Sequence, residues 1–188
     1  MIAKTHEYNI FVIRFTKFMK NIFLILVLCL LSCQDNDSET SQLTNEKAIN
    51  ELVSKADIDA LKYTDFVADA QVEKAVSGWA KYRELSSIIL DVKSGNLSFF
   101  KSNKEIVATL NNELKSTVPE VVSSPLILAR IVAVETKMYK LEGVINLSSP
   151  TKESILETVK ELLVAYSNLN LQMNKQLERE SQRIQKPY

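Results

Sequence analysis

The chain has 188 residues, with 23 Lys and Arg matched by 23 Asp and Glu, three glycines and a single histidine, His6. No basic surplus of the kind nucleic-acid binding needs is present. Both cysteines, Cys29 and Cys33, fall before residue 34, so everything beyond them lacks thiol and imidazole alike. The commonest general base, zinc ligand and haem ligand are then missing, which excludes a Ser-His-Asp hydrolase or a histidine-bearing di-iron bundle from that region.

The first element is an apolar run of 11 residues from Ile22 to Ser32, too short for the roughly 20 residues of a membrane-spanning helix. Lys17 and Lys20 precede it and the small Ser32 closes it, which is signal-peptide anatomy. The alternative, a short buried helix, does not usually run into Ser-Cys and then a polar tract. The run ends in Leu30-Leu31-Ser32-Cys33 and continues as Gln34-Asp-Asn-Asp-Ser-Glu39. That pattern resembles a bacterial lipoprotein signal, whose lipobox cysteine becomes the lipidated first residue of the mature protein.

The resemblance implies cleavage before Cys33, acylation there, and the several acyl chains that make an anchor permanent. A single chain, at about 0.8 kcal/mol per buried CH₂, anchors only reversibly. Gln34 in place of Asp implies the outer membrane, and Asp35, Asp37 and Glu39 resemble the export tract of surface lipoproteins. Periplasm-facing and surface-exposed orientations both stay open. A signal beginning at Met19 is complete by itself, so Met19 is the expected start, with residues 1–18 as upstream translation or an overlong n-region. The expected organisation is a signal peptide over 1–32, a lipidated Cys33 with a flexible tether over 33–45, and a helical domain over 46–188.

The expected mature chain, Cys33 to Tyr188, has 19 Lys and Arg against 22 Asp and Glu. It is long enough to bury about two-thirds of its unfolded surface as one domain. The tether is almost devoid of apolar residues and would span on the order of 20 Å as a flexible coil.

Past the tether the pattern is helical. Residues 46–56 predict a short first helix carrying Ile49, Leu52 and Val53, and 57–68 is ambiguous, with Leu61, Tyr63 and Phe66 as expected buried positions. A long helix is expected over 70–94, stopped by Gly95-Asn96. Ser102 and Glu105 have capping-box spacing for the next helix, with Ile106, Leu110 and Leu114 on one face and Pro119 as its breaker. Ser124-Pro125 pairs an N-cap with proline at the first helical position. Ile127, Ile131, Val134, Met138, Leu141 and Ile145 follow at spacings of 4, 3, 4, 3 and 4.

Ser149-Pro150 repeats the start signal, and Ile155, Val159, Leu162, Tyr166, Leu169 and Met173 repeat the spacing. Two such seams are what helices packed at shallow angles require. The last helix is expected to reach ~35 residues, roughly 50 Å, with a polar end from Lys175 to Lys186. The fold class is all-α, an antiparallel bundle of about four main helices.

Chemistry-bearing clusters are sparse. Asp65 and Asp69, with Asp57 and Asp59 nearby, would offer oxygen ligands to a hard cation, or Asp69 is simply the N-cap of the helix at Ala70. Arg130 borders the apolar seam, where it would grasp a carboxylate or phosphate ligand or pair with Glu84, Asp91 or Glu135. Trp79, Tyr82, Phe99 and Phe100 would line a pocket between helices or serve as core. Glu157, Glu161 and the group Glu178, Arg179, Glu180, Arg183 have the spacing of solvated helix faces.

From the lipobox onward the chain resembles small all-helical lipoproteins of Bacteroidota-type bacteria. The likeness lies in the leader, in Trp79-Ala-Lys-Tyr82 with Phe99-Phe100, and in Ala129-Arg130 through Glu135-Thr136. It implies location and fold and brings no activity or cofactor. The expected function is a membrane-anchored, non-enzymatic interaction or scaffold module of the cell envelope, with a protein partner and no metal. The alternative is a ligand-binding or sensing bundle with a pocket near Trp79, Phe99 and Arg130.

Overall fold

A computed structural model describes residues 52–182. Cys33, the tether and the predicted helix positions 46–51 lie outside the described residues. Among the described residues the chain is entirely helix, turn and extended connection. The elements are α1 (Lys55–Asp59), α2 (Ala70–Ala75), α3 (Ala80–Ser94), α4 (Lys104–Ser116), α5 (Pro125–Ile145) and α6 (Lys152–Ser181), with 3-10 turns at Ser98–Phe100 and Glu120–Val122. The last four helices form the expected antiparallel bundle. Among the described residues no helix is long and apolar enough to cross a membrane.

The α5–α6 hairpin is the spine. All six seam positions of α5, from Ile127 to Ile145, are fully buried. Ile155, Val159, Leu162, Tyr166, Leu169, Met173 and Leu177 are buried on α6. Spacing of 3 and 4 keeps each side chain on one stripe of a 3.6-residue helix, so the pattern translates directly into a packed interface. Ion pairs edge this interface. Glu161 receives Lys140 and Lys137 from α5 at 2.8 and 3.0 Å, and Lys140 is the larger cause of its lowered carboxyl pKa.

The helix starts and stops follow local chemistry, with several corrections to the sequence reading. The Ser124 hydroxyl accepts from Ile127 N–H with Pro125 at the first turn, as expected. Gly95 ends α3 with φ of +91°, and a Cβ there would stand 3.0 Å from the Lys55 backbone nitrogen. Only glycine meets both demands at low cost. The α6 start falls at Thr151, whose hydroxyl accepts from Ser154 N–H, rather than at Ser149. Pro150 thus sits just outside the helix. The predicted box at Ser102 does not form. Ser102 has φ of +55°, its N–H donates to Asn146 Oδ1 at 2.9 Å, and α4 is preceded by Asn103. Val107 joins Leu110 and Leu114 in the core while Ile106 is 52% exposed.

Two larger corrections lie in the N-terminal third. The predicted helix over 46–56 does not run through to Ala56. Ser54 is extended and starts α1 with a reciprocal cap to Asp57, a box with Asp in place of the usual Glu or Gln. The predicted continuous helix over 70–94 is two helices, α2 and α3, separated by a turn at residues 76–79. The Ser77 hydroxyl donates to Lys74 C=O within that turn. The ambiguous stretch resolves as an extended strap over residues 61–69.

Candidate functional site: a polar ladder on the last helix

The strap lies along α6 and is held there by three side chains, Ser167, Asn170 and Asn174, at helical spacings of 3 and 4. Ser167 Oγ accepts from Phe66 N–H at 2.7 Å and donates to Thr64 C=O at 2.8 Å. Asn170 Nδ2 donates to Phe66 C=O at 3.0 Å. Asn174 Nδ2 donates to Val67 C=O at 2.8 Å, and its Oδ1 accepts from Asp69 N–H at 3.0 Å. A carboxamide offers a donor and an acceptor on one flat group, so it can pair with a backbone much as another strand would. Every one of these bonds ends on strap backbone, so the strap's side chains are not what the ladder recognises.

The ladder is backed by buried aromatics. Tyr82 donates to Asn170 Oδ1 at 2.8 Å, and the Tyr166 hydroxyl shares a 2.8 Å bond with Ser86 Oγ. Trp79, Tyr82 and Tyr166 stack in sequence, with ring centroids 5.4 and 6.2 Å apart. Burial, followed by the Tyr166 phenol beside it, pushes the Tyr82 hydroxyl far above its usual range. The Tyr82 phenol is thus a structural donor to Asn170 at neutral pH.

The strap is bordered by an open cleft at each end. One, of about 430 Å³, is lined by Ile58, Leu61, Tyr63 and Leu90, with Lys93 pairing to Asp65 at 2.6 Å. The other, of about 470 Å³, runs past Asp69, Gln71, Asn174 and Glu178.

The three candidate ligand residues are not brought together. Trp79 is 2% exposed, sits at the start of α3 and donates from Nε1 to Thr117 Oγ1 at 3.2 Å. Phe99 lies beyond the other end of α3, edge-on to Phe100 at 5.1 Å, and 15 helical residues separate the two by about 22 Å. Arg130 is exposed on α5 and forms no ion pair with any described residue. Of its expected partners, Glu84 pairs with Lys81 and Glu135 with Lys115, and Asp91 forms no ion pair among the described residues.

The aspartates do not cluster either. Asp69 caps α2, accepting from Gln71 and Val72 N–H, while Asp57 pairs with Lys152, Asp59 with Lys55 and Asp65 with Lys93. Among the described residues no group of three potential metal ligands occurs.

The sequence reading missed Ser167, Asn170 and Asn174; polar residues beside an apolar seam were a signal of buried polar groups, but not of the strap they bind. It also missed Asn111, fully buried on α4 with both carboxamide atoms unpaired. Comparison with protein-family models, curated proteins and solved structures gave no match for this chain.

Proposed function

We propose that this protein is a lipid-anchored, non-enzymatic helical module of the cell envelope that binds a protein partner, held through Cys33 at the outer membrane. The observation that carries this reading is the Leu30-Leu31-Ser32-Cys33 pattern followed at once by a polar, acidic tract. It would spend the last thiol on the anchor and leave a domain without histidine.

The buried polar side chains support interaction over catalysis. Ser167, Asn170 and Tyr82 are engaged with the chain's own backbone and with one another, rather than converging on a space where a substrate would sit. On α5, Leu128 and Val132 lie one turn apart and are exposed at 38 and 50%, an apolar pair available for contact.

Two experiments test the reading. Labelled fatty acid should enter the wild-type protein and not Cys33→Ala, and equal labelling would remove the anchor from the proposal. In-cell crosslinking of the full chain should give a discrete protein adduct. Its absence at every crosslinker position tried, including α5 and the strap, would remove the partner.

A further inference from the structure

The strap is held in a way that suits replacement. No residue between Ile58 and Val72 belongs to the fully buried core, and Phe66 and Val67 are 37 and 68% exposed. Its attachments are hydrogen bonds to backbone and the Asp65–Lys93 ion pair, with Leu61, Tyr63 and Ala68 only partly buried. Segments with little apolar burial open at low free energy while the core stays folded. On either side it joins helices of only five and six residues, too short to be stable without tertiary contacts. The receiving face is different. Asn170 and Ser167 are 2 and 1% exposed with the strap in place, and they are fixed on the longest helix among the described residues. A rigid face that reads backbone alone accepts any extended chain able to meet its donors and acceptors, as strand addition does at a sheet edge.

We propose that the Ser167–Asn170–Asn174 face of α6 is a docking groove for an extended segment of a partner polypeptide, occupied in the isolated protein by residues 61–69. This deepens the interaction-module reading and rests on it. The chemistry of the occupant follows from the contacts. It is extended, with a carboxylate placed to meet Lys93 as Asp65 does. It has no proline at the positions of Phe66 and Asp69, whose N–H groups are taken by Ser167 and Asn174. Its remaining side chains are weakly specified.

Hydrogen exchange on the full chain tests whether the strap opens. The amides of Phe66 and Asp69 should exchange at least about 100-fold faster than those of Leu162 and Leu169, by local opening. Exchange at the same rate as that helix overturns the proposal.

A variant with residues 63–68 replaced by a Gly-Ser linker of equal length then exposes the groove. It should bind a fluorescein-labelled peptide of residues 61–70 saturably. Affinity should fall at least 10-fold when Asn170→Ala and Asn174→Ala are added, and likewise with a Phe66→Pro peptide. A folded variant that binds no peptide overturns the proposal. So does a variant that fails to fold, because the strap would then be part of the core.

A crosslinker at Lys175 in cells, exposed beside Asn174 on α6, separates this proposal from the broader reading. A partner captured elsewhere on the protein, with no peptide binding, overturns the groove and leaves the module. Peptide binding with no partner captured from any position overturns both, because a groove that takes only the chain's own strap is an intramolecular seat.

Discussion

The α5–α6 hairpin and the arm that runs from Ser54 through the strap to Ala75 are held by different forces. The hairpin buries a continuous apolar seam on both helices, and each such side chain contributes about 1.5–3 kcal/mol on leaving water. The arm has Ile58 and Val72 as its buried anchors, with Leu61, Tyr63 and Ala68 partly buried against the core. The rest of its hold is the Asp57–Lys152 and Asp65–Lys93 ion pairs and the ladder bonds, each worth about 0.5–1.5 kcal/mol net. Apolar burial fixes where helices lie, whereas backbone hydrogen bonds to a ladder fix a path without demanding a sequence. One region is therefore rigid and the other exchangeable.

The largest test of that contrast is in the seam. Leu141→Ala, at a fully buried position, should lower the unfolding free energy by about 2–5 kcal/mol in urea titration. A loss below about 1 kcal/mol would mean that the seam is not the source of rigidity.

The ladder should respond less, and in graded fashion. Asn170→Ala removes the acceptor of the buried Tyr82 hydroxyl and the donor to Phe66 C=O, for an expected cost of about 1–3 kcal/mol. Asn174→Ala acts on the exposed side of the ladder and should cost no more than about 1 kcal/mol. The reverse order would show that the buried end does not hold the strap.

Asn111→Leu should move stability the other way. Both of its carboxamide atoms are buried and unpaired, so an apolar side chain of similar size relieves a desolvation cost and should raise stability by about 1 kcal/mol. Destabilisation in the same urea assay would reveal a bonding partner for Asn111.

The smallest effect concerns the cap of α1. Lys152 first, then the Ser54 N–H and hydroxyl, pull the Asp57 carboxyl from 3.8 to about 2. A carboxylate depressed in the folded state stabilises the fold above its unfolded pKa, and that contribution disappears as pH falls through the folded value. Asp57→Asn should therefore lower the urea midpoint at about pH 6, with the difference shrinking below about pH 4 and vanishing near about pH 2. A difference constant with pH would separate the cap from its charge.

The hairpin was legible in the sequence because a repeat of 3 and 4 has one geometric meaning. Ser124-Pro125 and Gly95 were legible for the same reason, since each encodes a local backbone state. Ser149-Pro150 misled because Thr151, two residues after Ser149, offers a competing cap. The split between α2 and α3 was hidden because Val72, Val76 and Trp79 keep helical spacing across the turn. The ladder was harder still, since Ser167, Asn170 and Asn174 bond to residues about a hundred positions earlier, and no local pattern records such a pairing. For Trp79, Phe99 and Arg130, residue type suggested a pocket, but 15 residues of α3 hold the two aromatics apart.

By itself the sequence determined the all-helical class, the two seams, the inventory that leaves the domain without histidine or cysteine, and the leader pattern on which the proposed anchor rests. These depend on composition and on periods of a few residues, which near neighbours alone define. Only the tertiary structure decided that residues 61–69 form a strap, that α6 reads its backbone, and that Asp57, Asp59, Asp65 and Asp69 go to caps and ion pairs rather than to a common site. Those outcomes turn on which polar groups meet across the bundle, and a hydrogen bond with a net worth near 1 kcal/mol is settled by that encounter rather than by local propensity.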